Sequence, residues 1–208
     1  MSRFVALVLV FVAWAAAAEE SMDRPVDVSL SMGVALPGVV QASEDQTFSS
    51  GGTASFTTRV SPMARISATW WPAPRLAWIG PTLSVHYAAI FLPDPVNIGF
   101  WDGRDHEIPA DGIHFIQVEG GVRGRFFLAD TWSVDPAISL GYCRTFSSSP
   151  DARDSGMTVN IAADLRWRRP RYQLIATLGL MMQAYGGVEG IAWVRSDPIV
   201  YTAIGAGF

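Results

Sequence analysis

Val26-Asp27-Val28-Ser29-Leu30-Ser31-Met32-Gly33-Val34-Ala35-Leu36 decides the fold. Its even positions are Val, Val, Leu, Met, Val and Leu, while its odd positions are Asp, Ser, Ser, Gly and Ala. A helix would mix the two sets on one face, whereas successive residues of a strand point to opposite sides. The segment therefore reads as a strand with one apolar and one polar face.

The same period of two recurs along the chain. A second strand is expected from about Gly52 to Trp71, with Ala54, Phe56, Val60, Ala64, Ile66, Ala68 and Trp70 opposed to Thr53, Ser55, Thr57, Arg59, Arg65, Ser67 and Thr69. A third sets Ala77, Ile79, Leu83, Val85, Tyr87 and Ala89 against Gly80, Thr82, Ser84 and His86. The fourth, Ile113 to Phe127, opposes Ile116, Val118, Val122 and Phe126 to Gln117, Glu119, Arg123 and Arg125. The fifth carries Trp132, Val134, Ile138, Leu140 and Tyr142 against Ser133, Asp135 and Ser139. The sixth has Val159, Ile161, Ala163, Leu165 and Trp167 against Thr158, Asn160, Asp164 and Arg166. The seventh shows Tyr172, Leu174, Ala176, Leu178 and Leu180 against Gln173, Thr177 and Gln183. The last ends on Val200, Ile204, Ala206 and Phe208, with Tyr201, Ala203, Gly205 and Gly207 on its other side.

Connections alternate in length. Tight turns are expected at Pro72 to Pro74, Leu128 to Asp130 and Arg168 to Arg171; longer segments lie at Pro37 to Gly51, Leu92 to Gly112 and Arg144 to Gly156. A Gly-rich link follows near Gly186 to Gly190. Short turns on one side and long loops on the other characterise a transmembrane barrel. The expected fold is thus all-β, an eight-stranded antiparallel up-and-down transmembrane β-barrel. Pro62, Pro81 and Pro136 fall inside strands, where each removes a ladder donor, and bulges are expected there.

The polar face separates a membrane barrel from a soluble one. Half of the residues are hydrophobic, only 16% are charged, and no lysine occurs. A polar face turned to water should be dense in charge; this one is mostly Ser, Thr, Gly, Ala and Gln. Small polar residues suit the narrow interior of eight strands, which side chains can fill. The apolar face then meets lipid. Trp70, Phe126, Trp132, Trp167, Tyr172 and Phe208 lie on that face near the short-turn end, as a periplasmic aromatic girdle would. Tyr87, Phe91 and Tyr142 form a looser set near the long loops.

The amino terminus fits an export signal over residues 1–18, followed by the barrel over 19–208. Arg3 supplies the positive region, Phe4 to Trp14 the apolar region, and Ala16-Ala17-Ala18 before Glu19 the cleavage site. The lone Cys143 provides no disulfide framework. A net charge of −4 gives no basic face for nucleic acid.

With its eight strands, its loop alternation and the terminal Tyr201-Thr-Ala-Ile-Gly-Ala-Gly-Phe208, the chain resembles the small outer-membrane barrels, the OmpA-type transmembrane domain and its OmpX-like relatives. The resemblance covers the whole mature segment and is architectural. It implies insertion by the barrel-assembly machinery, a setting of outer-membrane lipids and lipopolysaccharide, and a structural or surface-binding role through the outer loops. Fold likeness carries no specific activity.

Three groups of residues invite a chemical reading. Arg59, Arg65, Arg123, Arg125 and Arg166 should share the interior with Asp27, Glu119, Asp135 and Asp164. A charge in so narrow a lumen must be paired, so a salt-bridge plug is expected, with exchange of partners in a narrow channel as the alternative. Ser84 and His86 share a strand face, and one lipid A deacylase family places His and Ser two residues apart. Here the order is Ser-x-His, the pair should face inward and no acid is pinned nearby; mutual hydrogen bonding is expected and no catalysis. His114 should face outward, but Ile116 stands where that pattern would want Ser. Asp102-Gly103-Arg104-Asp105-His106-Glu107, flanked by Asp94 and Asp111, matches no metal-loop spacing and reads as a solvated loop. Glu44-Asp45 and Asp151 to Asp154 read likewise. No cofactor or metal is expected, and a narrow channel and a lipid A-modifying enzyme remain the alternatives.

Overall fold

The computed structural model describes residues 25–44, 53–72, 78–94, 96–99, 105–108, 113–146, 155–188, 191–196 and 198–208. The expected signal segment, residues 1–18, lies outside the described residues, as do Asp45, Asp102, Arg104, Asp111 and Asp151 to Asp154.

Among the described residues, fourteen strand segments follow one another: β1 (Val26–Ala35), β2 (Val39–Glu44), β3 (Thr53–Thr57), β4 (Ser61–Trp70), β5 (Ile79–Ile90), β6 (Val96–Gly99), β7 (Asp105–Ile108), β8 (Ile113–Gly124), β9 (Phe126–Ala129), β10 (Trp132–Phe146), β11 (Ser155–Arg168), β12 (Gln173–Val188), β13 (Ile191–Ser196) and β14 (Ile199–Gly207). Eight of them close a ring in the order β1-β4-β5-β8-β10-β11-β12-β14, and β14 pairs back onto β1. Every pairing in the ring is antiparallel. Val28 and Phe208 exchange backbone hydrogen bonds of 3.0 and 2.8 Å, which ties the chain's last residue into the seam.

Most of the remaining segments are continuations of ring strands beyond a bend. The loop expected at Pro37 to Gly51 contains β2, which pairs β3 on one side and β13 on the other. Ala35 opposes Tyr201 below the bend and Val40 opposes Ser196 above it, so the ladder keeps one register through the interruption. The second strand, expected to be unbroken, is interrupted at Thr58 to Val60. Gly38 and Thr58 bind each other there, Thr58 N donating to Gly38 O at 2.9 Å and Gly38 N to Thr58 Oγ1 at 2.9 Å. Pro37 and Pro198 lack donors at this level, so the ladder between the first and last strands yields there. The long segment Leu92 to Gly112 holds the hairpin β6–β7.

The three strand prolines do not produce bulges. Pro62 opposes Val34, Pro81 opposes Val122 and Pro136 opposes Ala163, each in unbroken register. Each instead sits one residue beyond an end of its other ladder: β4–β5 runs from Met63 to Thr69 against Thr82 to Ala88, and β8–β10 ends at Ala137. A residue without N–H can terminate a ladder on one side while its carbonyl serves the other. Among the described residues, register shifts occur between β9 and β10, at Trp132 and Ser133, and between β13 and β2, at Ile191 and Trp193.

Following the registers from Asp27 through Thr69, Thr82, Gly121, Ser139, Asn160, Met181 and Ile199 returns to the level of Pro37, ten residues along the first strand. Eight strands with this stagger tilt by about 40° and leave an interior that side chains fill.

The two faces are sorted inside out. Met32, Leu140, Leu178 and Ile204 are 58 to 75% exposed, whereas Ser67, Gln117, Thr158 and Thr177 are buried. The apolar surface runs around the whole ring and far exceeds the few hundred Å² that soluble monomers show. At the long-loop end the interior becomes apolar, where Ala35, Met63, Ile90, Leu92, Phe115, Met181, Ile199 and Tyr201 form one buried cluster.

Gly179 makes room for that cluster. A Cβ built on it would stand 2.3 Å from the Tyr201 ring. Tyr201 is fully buried and donates to Asn160 Oδ1 at 2.9 Å, so the ring has little freedom to retreat. Gly179→Ala should therefore lower stability by about 1–3 kcal/mol, read as an earlier urea midpoint. Gly120→Ala, where a Cβ meets nothing within 4 Å, should be close to neutral.

Candidate functional site: the charged lumen

Inward positions near the short-turn end bring charges from five strands, β1, β4, β8, β10 and β11, and from Arg125 beside β8 into one network. Asp164 on β11 receives Arg65 of β4 at 3.0 Å, Arg166 of its own strand at 3.0 Å, and Arg123 of β8. Thr177 Oγ1 donates to its other oxygen at 2.8 Å. Asp135 on β10 takes Arg166 at 3.0 Å and Arg168 at 2.9 Å, and Ser133 donates to it at 2.7 Å. Asp27 on β1 binds Arg125, with Arg168 at 3.5 Å and Arg166 at 3.9 Å. Alternation explains the convergence: each of these residues has the inward parity of its strand.

Sequence reasoning missed two members. Trp71 is fully buried, donates its indole N–H to Asp27 Oδ2 at 3.0 Å and lies beneath Arg125, whose guanidinium carbon is 3.7 Å from the ring centroid. Arg168, read as part of a turn, is buried between Asp27 and Asp135. The signal was present in both cases. Extending the alternation by one step past Trp70 and by two past Arg166 turns both side chains inward.

One expected member does not join. Arg59 is exposed and donates to the Pro93 carbonyl at 3.0 Å. Its parity is inward, but it lies in the interruption between β3 and β4, where alternation lapses.

Glu119 also differs from expectation. Its oxygens meet His86 Nε2 at 3.2 Å, Ser139 Oγ at 2.7 Å, Asn160 Nδ2 at 3.1 Å and Thr158 Oγ1 at 3.3 Å. It forms a second cluster further along the lumen, joined to Tyr201 through Asn160. His86 thus has an acid beside it, and its partner is Glu119 rather than Ser84.

On the outer wall, Trp132 and Trp167 lie 6.3 Å apart, and Trp167 meets Tyr172 edge-on at 6.4 Å. Arg169 stacks over Trp167 at 4.4 Å. Trp70 and Phe126 are exposed at the same end, Phe208 is half-buried, and Trp78 joins Phe126 at 6.1 Å.

A closed ring of eight antiparallel strands, ion-paired within and apolar without, is the architecture of the small outer-membrane barrels, and this chain has that fold. Two solved structures share it over nearly their full length. Neisserial surface protein A (NspA) superposes with a TM-score of 0.51 at 13% identity, over 91% of this chain and 98% of that one. The outer membrane protein OprG from Pseudomonas aeruginosa gives 0.53 at 10% identity, over 89% and 95%. At such identities the likeness is one of fold. No protein-family model matches the chain, and no curated protein matches it in sequence.

Proposed function

We propose that this protein is a non-enzymatic barrel of the bacterial outer membrane, exported with a cleaved signal peptide and inserted by the barrel-assembly machinery. Its lumen is a structural plug, and its contacts are made by the long-loop end and by the wall in a setting of lipopolysaccharide. The observation that carries this reading is the interior itself. Arg65, Arg123, Arg125, Arg166 and Arg168 are each at most 9% exposed and ion-paired to Asp27, Asp135 and Asp164, with the Phe115–Met181–Tyr201 cluster stacked beyond. Neither layer supplies the water-lined path that conduction needs.

Ser84 and His86 are read as structural because both are buried in the lumen, turned away from the outer-leaflet lipid that a lipid A-modifying enzyme would act on. The test is conductance in planar bilayers. The folded protein should show no steady current, and stable, large single-channel steps would replace the plug with a pore.

A further inference from the structure

The outer wall carries almost no charge. Among the described residues, outward positions of the eight ring strands above the girdle include no Asp or Glu and two ionisable basic side chains, His114 and Arg144. Both lie on neighbouring strands. His114 of β8 opposes Phe146 of β10, and Arg144 opposes Ile116, so His114 and Arg144 are diagonal neighbours on one face, roughly 7–8 Å apart. They are also at one height. Arg144 lies twelve positions along β10 from Trp132 in the girdle, and His114 of β8 lies twelve positions from Phe126 at the start of β9. At ~3.3 Å per residue and a tilt of about 40°, that is roughly 30 Å, just above an apolar band of about 25 Å.

Their surroundings are arranged for an amphiphile. Tyr87 Oη and His114 Nδ1 share a hydrogen bond of 2.8 Å, and the two rings stack at 6.1 Å, which holds the imidazole in place and leaves Nε2 as its second nitrogen. Phe91 packs edge-on against the same imidazole at 6.4 Å. Arg144 is exposed, with its guanidinium carbon 5.9 Å from the Phe146 ring. Directly below lie Val85, Val118, Leu140 and Tyr142, all outward and exposed. A cationic fork and an imidazole above an apolar wall complement an anionic head joined to acyl chains. A guanidinium binds phosphate oxygens in a bidentate fork, and aromatic faces offer a flat surface to a sugar.

We propose that Arg144 and His114 bind a phosphate of a phosphorylated glycolipid of the outer leaflet, with its chains lying along β8 and β10. The site deepens the outer-membrane reading above and rests on it. It faces one side of the barrel, so the lipid contact is directional rather than spread evenly around the wall.

The probe is diphosphoryl lipid A, added to the detergent-folded barrel and counted by native mass spectrometry after its fold is verified by heat-modifiable gel mobility. The wild type should retain one lipid A more tightly than any further copies. Retention should fall at least tenfold in R144Q/H114Q, and Arg169→Gln at the opposite rim should leave it unchanged. Fully dephosphorylated lipid A should bind the wild type as weakly as diphosphoryl lipid A binds the double variant. Equal retention by wild type and double variant, or no preference for the phosphorylated lipid, overturns the site while the barrel itself stands. Displacement by glucosamine phosphate without acyl chains would make the ligand a soluble anion and overturn the lipid assignment. A wild type that never folds into detergent or vesicles would overturn the membrane reading and the site with it.

Discussion

Asp164→Asn should destabilise the barrel by about 3–5 kcal/mol, the largest loss expected from any single lumen change. Asp164 is fully buried and takes ion pairs from Arg65, Arg123 and Arg166. Asparagine keeps the shape and removes the charge, so three guanidinium groups lose a shared counter-ion in a space with little water to replace it. Arg166 retains Asp135 at 3.0 Å, which limits its share of the loss. Glu119→Gln should cost less, about 1–3 kcal/mol, because its partners are hydroxyls, an amide and an imidazole rather than guanidinium groups. The measurement is equilibrium urea unfolding in lipid vesicles, followed by gel mobility and tryptophan fluorescence. An Asp164→Asn barrel as stable as wild type would mean that the lumen is wet, and the plug reading would fall with it.

Ile138→Arg should cost about 2–4 kcal/mol, the penalty for an arginine on the lipid face at mid-depth. Ile138 points outward at 49% exposure, six residues from Trp132 and six from Arg144 on the same face. Tyr142→Arg, four residues higher and near the rim, should cost only about 0–1 kcal/mol, because the charge there reaches the interface. The same vesicle titration ranks the two. If Ile138→Arg were no worse than Tyr142→Arg, the wall would not be crossing a hydrocarbon layer. A stabilising Ile138→Arg would point to a barrel whose outside faces water.

The fold was legible because alternation is a local property. Val26 to Leu36 declares its two faces with no knowledge of its neighbours, and the ring strands repeat that declaration. Side-chain chemistry then chose which face is inside: Ser67, Thr158 and Asp164 fit a narrow interior, whereas Leu140, Leu178 and Ile204 do not need one. Prolines were harder to read. A sequence says that Pro62, Pro81 and Pro136 lack a donor, but not which neighbouring strand would have accepted from it. The answer, a ladder end in each case, depends on how far the partner strand reaches.

What the sequence determined by itself is therefore the number of ring strands, the face of nearly every ring residue and most of the charges that enter the lumen, Arg59 and Arg168 excepted, because these follow from the period of two and from burial cost. Only the tertiary structure decided which charges pair. Asp164 collects arginines from β4, β8 and β11 while Glu119 meets His86, and Arg59 is carried away from the lumen by a bend shared among adjacent strands. The physical reason is the stagger. Around eight tilted strands a ten-residue shear sets which inward residues share a level, and that offset is a property of the closed ring, written in no single strand.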